Sequence, residues 1–335
     1  MKAIVQQRYG SSETLQLRDL ERPVPAAGEV LVRVRAAAVN ARDWHIMRGD
    51  PYLARLAMPA MFGRNGPRRP IRGSDFAGVV EALGEGVTRF APGDEVYGDL
   101  REDDGAFAEY ACVPVGMMER KPAGLTFEQA AAVPLAASTA LAALRDVAKV
   151  RAGEHVLVNG ASGGVGTFAV QLAKAFGATV TGVCSTRNTG LVAELGADHV
   201  VDYTREDFTR SARRYDVIFD LVGNRTLAEY RRALADGGRL VLSGGGTSGG
   251  GRPSVFGPMG LTIRGSLAAR FGGRTRVVPM LNVAPSAENL ATLRELIESG
   301  EVAPAVDRTF PLEKAADAVR YLEIEHARAK VVITV

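Results

Sequence analysis

The 335-residue chain has two cysteines, Cys112 and Cys184, and four histidines, His45, His155, His199 and His326. Two thiols are too few for a disulfide framework or a four-cysteine zinc lobe, and both are read as small buried hydrophobes. The histidines show no metal-ligand spacing, so each is read as a surface or structural side chain. Long apolar runs are missing too. The longest candidate, 130–144, is rich in alanine and interrupted by Pro134, Ser138 and Thr139, which excludes a membrane span there. The opening Met1-Lys-Ala-Ile-Val5 reads as a strand without a signal-peptide pattern, and a cytoplasmic protein is expected. An excess of one charge is also lacking. Lys and Arg number 41 against 38 Asp and Glu, a formal net charge of +3, which gives no reason to expect a nucleic-acid partner. Only six of the 41 basic residues are lysines. The densest basic stretch, 64–72, is read as a solvated loop.

What is present is a change of texture along a chain long enough for two domains. Up to about residue 120 the sequence reads as short strands, as in Val30-Leu-Val-Arg-Val-Arg-Ala36, where apolar and basic side chains alternate. A long loop over 48–72, rich in Gly, Pro, Arg and Met, interrupts them, and loops of that length are usually functional or mobile. From Thr126, a suitable N-cap, helices appear, with a second helical stretch over 136–147.

The chain is then organised around His155-Val-Leu-Val-Asn-Gly-Ala-Ser-Gly-Gly-Val-Gly-Thr-Phe168. A buried strand runs into glycines and the glycines into an apolar helix, the order of a dinucleotide-binding corner. Gly160, Gly163 and Gly166 follow a G-x-x-G-x-x-G spacing, with Ala161 at the usual first glycine. Strands and helices alternate afterwards: strands at 179–184, 199–202, 216–222, 239–243 and 261–267, and helices at 191–195 and 226–235. That alternation predicts a doubly wound parallel sheet, an α/β fold. A helix over 287–299, with Ser286 as N-cap and Gly300 beyond its end, another from Pro311, and an apolar strand at 330–335 close the chain.

Several further motifs occur in order. They are Ala38-Val-Asn-Ala-Arg-Asp43, Gly73-Ser-Asp-Phe-Ala-Gly-Val-Val-Glu81, Pro92-Gly-Asp-Glu-Val-Tyr97 and Gly105-Ala-Phe-Ala-Glu-Tyr110. Leu195-Gly-Ala-Asp198, Asp220-Leu-Val-Gly223 and the segment 326–335 follow. With the glycine corner, they make the chain similar over its whole length to the zinc-free quinone oxidoreductases of the medium-chain dehydrogenase/reductase superfamily. The loop before Gly73 and Asp307-Arg-Thr-Phe-Pro-Leu312 resemble the plant and mitochondrial branch. The resemblance implies a discontinuous GroES-like β-rich catalytic domain (1–122 and 268–335), a Rossmann domain (123–267), and a homodimer.

Zinc-dependent relatives carry Cys where Asn40 stands and G-H-E-x-x-G where this chain has Gly73-Ser-Asp-Phe-Ala-Gly78. Asp75 is the one hard ligand left at these positions, and a catalytic zinc wants three protein ligands. No metal is therefore expected. After the second Rossmann strand the chain reads Val183-Cys-Ser-Thr-Arg-Asn188, without the acid that holds an NAD ribose. Ser185 and Thr186 offer hydroxyl donors and Arg187 a fork suited to a 2′-phosphate. The expected cofactor is NADPH.

By resemblance, Tyr203 touches the same phosphate, and Ser138, Thr139, Ser162, Gly164, Val165, Leu221, Val222, Ser243, Gly244, Leu267, Phe271 and Lys330 complete the cofactor site. Asn40 and Asp43 border the nicotinamide ribose, and Tyr52 reaches substrate from the loop. Hydride transfer to a quinone or another α,β-unsaturated carbonyl needs alignment and stabilisation of a developing enolate or phenolate, without a Lewis acid. Two alternatives stay open at this point: an enoyl reductase tailoring a polyketide- or lipid-derived intermediate, and a non-catalytic, crystallin-like NADPH-binding protein.

Overall fold

Alternation of apolar and polar side chains builds the first sheet. The computed structural model describes residues 1–50, 55, 62–63, 66–243, 276–279, 286–325 and 327–335. Tyr52, Gly244, Leu267, Phe271 and the strand expected at 261–267 lie outside the described residues. β1 (Lys2–Val5) and β2 (Gln16–Asp19) form an antiparallel pair. β3 (Glu29–Val39) exposes Arg33 and Arg35 between buried valines, then buries every residue from Ala36 to Val39. The helix α1 (Ala41–Arg48) follows it. β4 (Asp75–Leu83), β5 (Glu95–Asp99), β6 (Tyr110–Pro114) and β7 (Met118–Arg120) complete the N-terminal strands. β3 pairs antiparallel with both β4 and β6, β4 with β5, and β5 with β7.

Phe76, Phe107, Val32, Val96 and Met118 are buried in the core beneath this sheet. Truncating one such phenylalanine costs about 3–5 kcal/mol. Thr126 caps α2 (Phe127–Ala131) through a reciprocal capping box with Gln129. α3 (Pro134–Leu141) comes next and widens into π turns over Ala142–Ala148, so the single helical stretch expected over 136–147 changes register midway.

Two readings of side-chain environment need correction here. Cys184 is buried but Cys112 is only half-buried, because pleating along β6 sends Ala111 and Val113 inward and Cys112 outward. Arg72 is 1% exposed and does not belong to a solvated loop. Its Nη1 donates to Asp104 Oδ2 at 2.7 Å, and Arg42 Nη1 donates to the other oxygen at 2.7 Å.

The second sheet is parallel throughout. It takes β8 (His155–Asn159), α4 (Gly164–Ala175), β9 (Thr179–Cys184), α5 (Thr189–Glu194), β10 (His199–Asp202), β11 (Tyr215–Asp220), α6 (Leu227–Ala233), β12 (Leu234–Leu242) and β13 (Arg276–Pro279). The strand order is β10-β9-β8-β11-β12-β13, the order 3-2-1-4-5-6 of a doubly wound dinucleotide fold. β11 lies between β8 and β12, which explains its nearly unbroken apolar run. β13 was not legible in the sequence: four residues bounded by arginine and proline show no strand pattern.

The chain ends in the first sheet. After α7 (Ala287–Glu298), whose N-cap Ser286 accepts from the Asn289 N–H, come β14 (Val306–Pro311), α8 (Ala315–Ile324) and β15 (Lys330–Thr334). β15 pairs parallel with β14 and antiparallel with β3, with Val331 opposite Val39. Two compact units result. One gathers the described residues of 1–138, 284–300 and 304–335, the other those of 139–283 and 301–303. No helix among the described residues is long and apolar enough to cross a membrane.

Candidate functional site

β8 delivers Asn159 to the C-terminal edge of the parallel sheet, and the chain turns at once into α4. Gly160 makes the turn at φ +90°, a conformation that side chains rarely adopt. A Cβ there would stand 2.9 Å from Val222 Cγ2. On Gly166 a Cβ would stand 2.1 Å from the Gly160 carbonyl oxygen and 2.8 Å from the Ala161 backbone, so only glycine lets helix and turn meet. Gly163 is different: its Cβ would meet only the Gly160 oxygen, at an ordinary 3.5 Å. Packing therefore does not require the middle glycine, and its bare backbone is left for a ligand. Gly164, Val165 and Gly166 form the first turn of α4, whose amides have no intrahelical acceptor and whose dipole favours an anion. This cradle fits a dinucleotide pyrophosphate.

The adenosine side of such a site lies one strand over. Ser185 leads from β9 into a short turn, Thr186–Asn188, with Thr186 and Arg187 exposed. Asn188 Nδ2 donates to Ser162 Oγ at 3.0 Å and ties this turn to the glycine corner. Tyr203, 53% exposed, follows β10. The structure thus brings Ser162, Ser185, Thr186, Arg187 and Tyr203 to one edge of the sheet. It also brings a residue that sequence reasoning missed. Asp202, 18 positions beyond Cys184 in sequence, lies opposite it in the register of β10 on β9, and its carboxylate accepts from Thr186 Oγ1 at 2.6 Å. The end of β9 itself carries no acid, and the signal in the sequence is the strand-ending Val200-Val-Asp-Tyr203.

On the other side of β8, Asp220 closes β11. Its carboxylate is fully buried and accepts from Asn159 Nδ2 at 2.8 Å and from the Val222 and Gly223 N–H groups at 3.2 and 3.0 Å. Burial pushes its pKa up against these hydrogen bonds. The Leu221 N–H donates to the Asn159 carbonyl, and the Ser243 N–H to that of Asp220. Leu221 and Val222 are therefore held beside Gly160 and Ser243 beside Asp220, at the C-terminal edge where α/β sheets bind ligands. Ser138 and Thr139 lie on α3, the first buried and the second half-buried.

The first unit carries a separate polar cluster. Asn40 is the N-cap of α1, and its N–H donates to Asp43 Oδ2 at 2.7 Å. Asp43 is buried, and desolvation pushes its carboxyl up to about 6 against the pull of Arg42 and Arg72. Asn40 Nδ2 donates to Asp75 Oδ2 at 3.0 Å, and the Leu135 N–H donates to Asp75 Oδ1 at 3.1 Å. Lys330, 2% exposed, closes the cluster: its Nζ donates to Asn40 Oδ1 and, at 3.3 Å, to Asp75 Oδ2. Burial, opposed by the Lys330 ammonium, pushes Asp75 up to about 7. Ser74, which precedes Asp75 in the chain, is fully buried. Asn40, at a position read as a vacated zinc ligand, and Asp75, the one hard ligand left at those positions, thus both accept from a lysine ammonium. Among the described residues no group of three or more His, Cys, Asp or Glu side chains could hold a metal ion.

The comparisons with known proteins agree with this layout. The alcohol dehydrogenase GroES-like domain family matches residues 26–123, and the zinc-binding dehydrogenase family matches residues 195–333. The bovine mitochondrial NAD(P)H oxidoreductase RTN4IP1 is 33% identical over 100% of this chain and 89% of its own length. The chloroplastic NADPH-dependent alkenal/one oxidoreductase of Arabidopsis thaliana is 34% identical, over 99% of this chain and 79% of its own. Among solved structures, the quinone oxidoreductase from Coxiella burnetii superposes with a TM-score of 0.83 at 31% identity, covering 100% of this chain and 99% of that one. With a GroES-like sheet, a doubly wound dinucleotide sheet and relatives matched over the full chain, the protein belongs to the quinone oxidoreductase-like family of the medium-chain dehydrogenase/reductase superfamily.

Proposed function

We propose that the protein is an NADPH-dependent reductase that delivers hydride, without a metal, to a quinone or another α,β-unsaturated carbonyl. The observation that carries this reading is the contact of Gly166 with Gly160, which forms a phosphate cradle beside an exposed Arg187. The relatives' names, an NADPH-dependent alkenal/one oxidoreductase and a quinone oxidoreductase, support the same cofactor and acceptor class.

Bound there, the dihydronicotinamide would supply the hydride. The chain's own part is binding and orientation. The amides of Gly164, Val165 and Gly166 hold the pyrophosphate, and Ser185, Arg187 and Tyr203 serve the adenosine 2′-phosphate. Leu221, Val222 and Ser243, fixed by Asp220 and Asn159, line the nicotinamide half. The resemblance assigns the nicotinamide ribose to Asn40 and Asp43, and Lys330 orients the Asn40 amide. Lys330 was expected among the cofactor contacts; its bonds to Asn40 and Asp75 support an indirect part. The electrophile itself, a quinone carbonyl or an enone β-carbon, removes the need for a Lewis acid, which suits a cluster built on an ammonium rather than on thiolate and imidazole.

A homodimer and a cytoplasmic location complete the proposal. Sedimentation at twice the mass of one chain tests the first, and cell fractionation the second. The decisive experiment titrates NADPH and NADH against a panel of quinones, enones and alkenals. A higher kcat/KM with NADPH is expected, and activity should survive EDTA. Equal values for the two cofactors, or activity lost to EDTA and restored by zinc, would each overturn part of the reading.

A further inference from the structure

Asp202 does more than end a strand. Its side chain is 11% exposed, and the carboxylate gathers the donors of the loops around it. Oδ2 accepts from Thr186 Oγ1 at 2.6 Å, and Oδ1 from Thr204 Oγ1 at 2.7 Å and the Thr204 N–H at 3.0 Å. Arg205 Nε stands 3.5 Å from Oδ2. The Thr186 hydroxyl, followed by the Thr204 hydroxyl and N–H, holds the carboxyl below its ordinary range. Each threonine hydroxyl owns one proton. With both given to the carboxylate, the 3.0 Å contact between the two hydroxyl oxygens has no proton to share. Toward a ligand, both hydroxyls then present lone pairs only.

This changes what the corner can recognise. A 2′-phosphate dianion accepts hydrogen bonds, so Thr186, expected above to donate to it, has no proton to offer. A ribose 2′-hydroxyl is a donor, and those lone pairs can receive it. Arg187, Ser185 and Tyr203 remain as donors for a phosphate.

We infer that Asp202, acting through Thr186 and Thr204, is a specificity-determining residue that limits the preference for a 2′-phosphorylated cofactor and keeps the corner open to the unphosphorylated one. Asp202 is a positioning residue here: it fixes which way two hydroxyl protons point and adds a negative charge behind them. The inference rests on the proposed reading of this edge as the adenosine end of the cofactor site.

Calorimetric titration of the full chain with adenosine 2′,5′-bisphosphate and with 5′-AMP tests it without reference to turnover. In Asp202→Asn the charge is gone. The amide oxygen keeps the Thr204 hydroxyl and N–H, and the amide nitrogen donates to Thr186 Oγ1, whose own proton is released outward. The affinity for the bisphosphate relative to 5′-AMP is expected to rise about tenfold, the effect of one new hydrogen bond to a charged group. Asp202→Ser, which also removes the charge and keeps a hydrogen-bonding oxygen, should shift the ratio the same way and serves if the amide variant fails to fold. In a Thr186→Val background the gain from Asp202→Asn should shrink, since the released proton is missing. An unchanged or lower ratio in both Asp202 variants overturns the inference, as does an equal gain in the Thr186→Val background. Wild-type protein that binds neither nucleotide removes the cofactor reading itself, and this inference with it.

Discussion

Replacing Lys330 by methionine would take the ammonium away from Asp75 and Asn40 while keeping a side chain of similar length. In the native protein Asp75 accepts from Leu135 N–H, Asn40 Nδ2 and Lys330 Nζ at 3.1, 3.0 and 3.3 Å, and both members of the ion pair are buried. Breaking a buried pair by removing one partner costs about 3–5 kcal/mol, because the other charge is left uncompensated. The carboxyl can escape by protonation. From its ordinary value of 3.8, that costs about 6 kcal/mol at pH 8 and less than about 2 kcal/mol at pH 5. A folded-state pKa raised above the unfolded one means stability that is full below 3.8 and lost as pH rises through about 7. Without Lys330 the folded value rises further, so the loss deepens with pH. Wild-type Asp75, at about 7, already bears about 4 kcal/mol of that protonation cost at pH 8, so the penalty for Lys330→Met should be about 3–5 kcal/mol at pH 8 and about 1 kcal/mol smaller at pH 5. Urea unfolding followed by circular dichroism at the two pH values measures it. Adding Asp75→Asn should recover about 2 kcal/mol or more at pH 8, since two neutral amides can pair once Asn40 turns over. A penalty below about 1 kcal/mol, or one that does not change with pH, would refute this account of the cluster.

Other expectations follow from the same contacts. Gly166→Ala drives a methyl into the Gly160 carbonyl and should cost about 3 kcal/mol of stability as well as cofactor affinity. Gly163→Ala should stay within about 0.5 kcal/mol of wild type in stability yet weaken NADPH binding, so thermal melts and fluorescence titration together check the division of labour between the glycines. Arg187→Ala should raise the KM for NADPH roughly ten- to hundredfold and leave that for NADH nearly unchanged, as expected for a charged hydrogen bond to the 2′-phosphate; equal effects on both would remove Arg187 from that role. Asp43, pushed up to about 6 by burial, contributes stability that is full below 3.8 and lost as pH rises through 6. Asp43→Asn keeps an acceptor for the Asn40 N–H and removes that dependence, so relative to wild type it should gain about 3 kcal/mol between pH 4 and pH 8 in denaturant titrations.

Features that depend on near neighbours are legible in the chain alone. Residues 155–168 announce a strand, a glycine turn and a helix because each is decided within a few positions, and the structure places them as β8, the Gly160 turn and α4. Caps at Thr126 and Ser286 were legible for the same reason, since their partners Gln129 and Asn289 stand three residues on. The polar clusters are not legible there. Lys330 meets Asn40 and Asp75 across 290 and 255 residues, because β15 inserts beside β3 in a register that puts Val331 opposite Val39. Asp202 meets Thr186 because β10 lies parallel on β9 with Asp202 opposite Cys184. Residue types show that such groups are costly to bury alone. Which groups meet is fixed by strand order and register, set by the burial of whole sheets rather than by the polar residues they bring together.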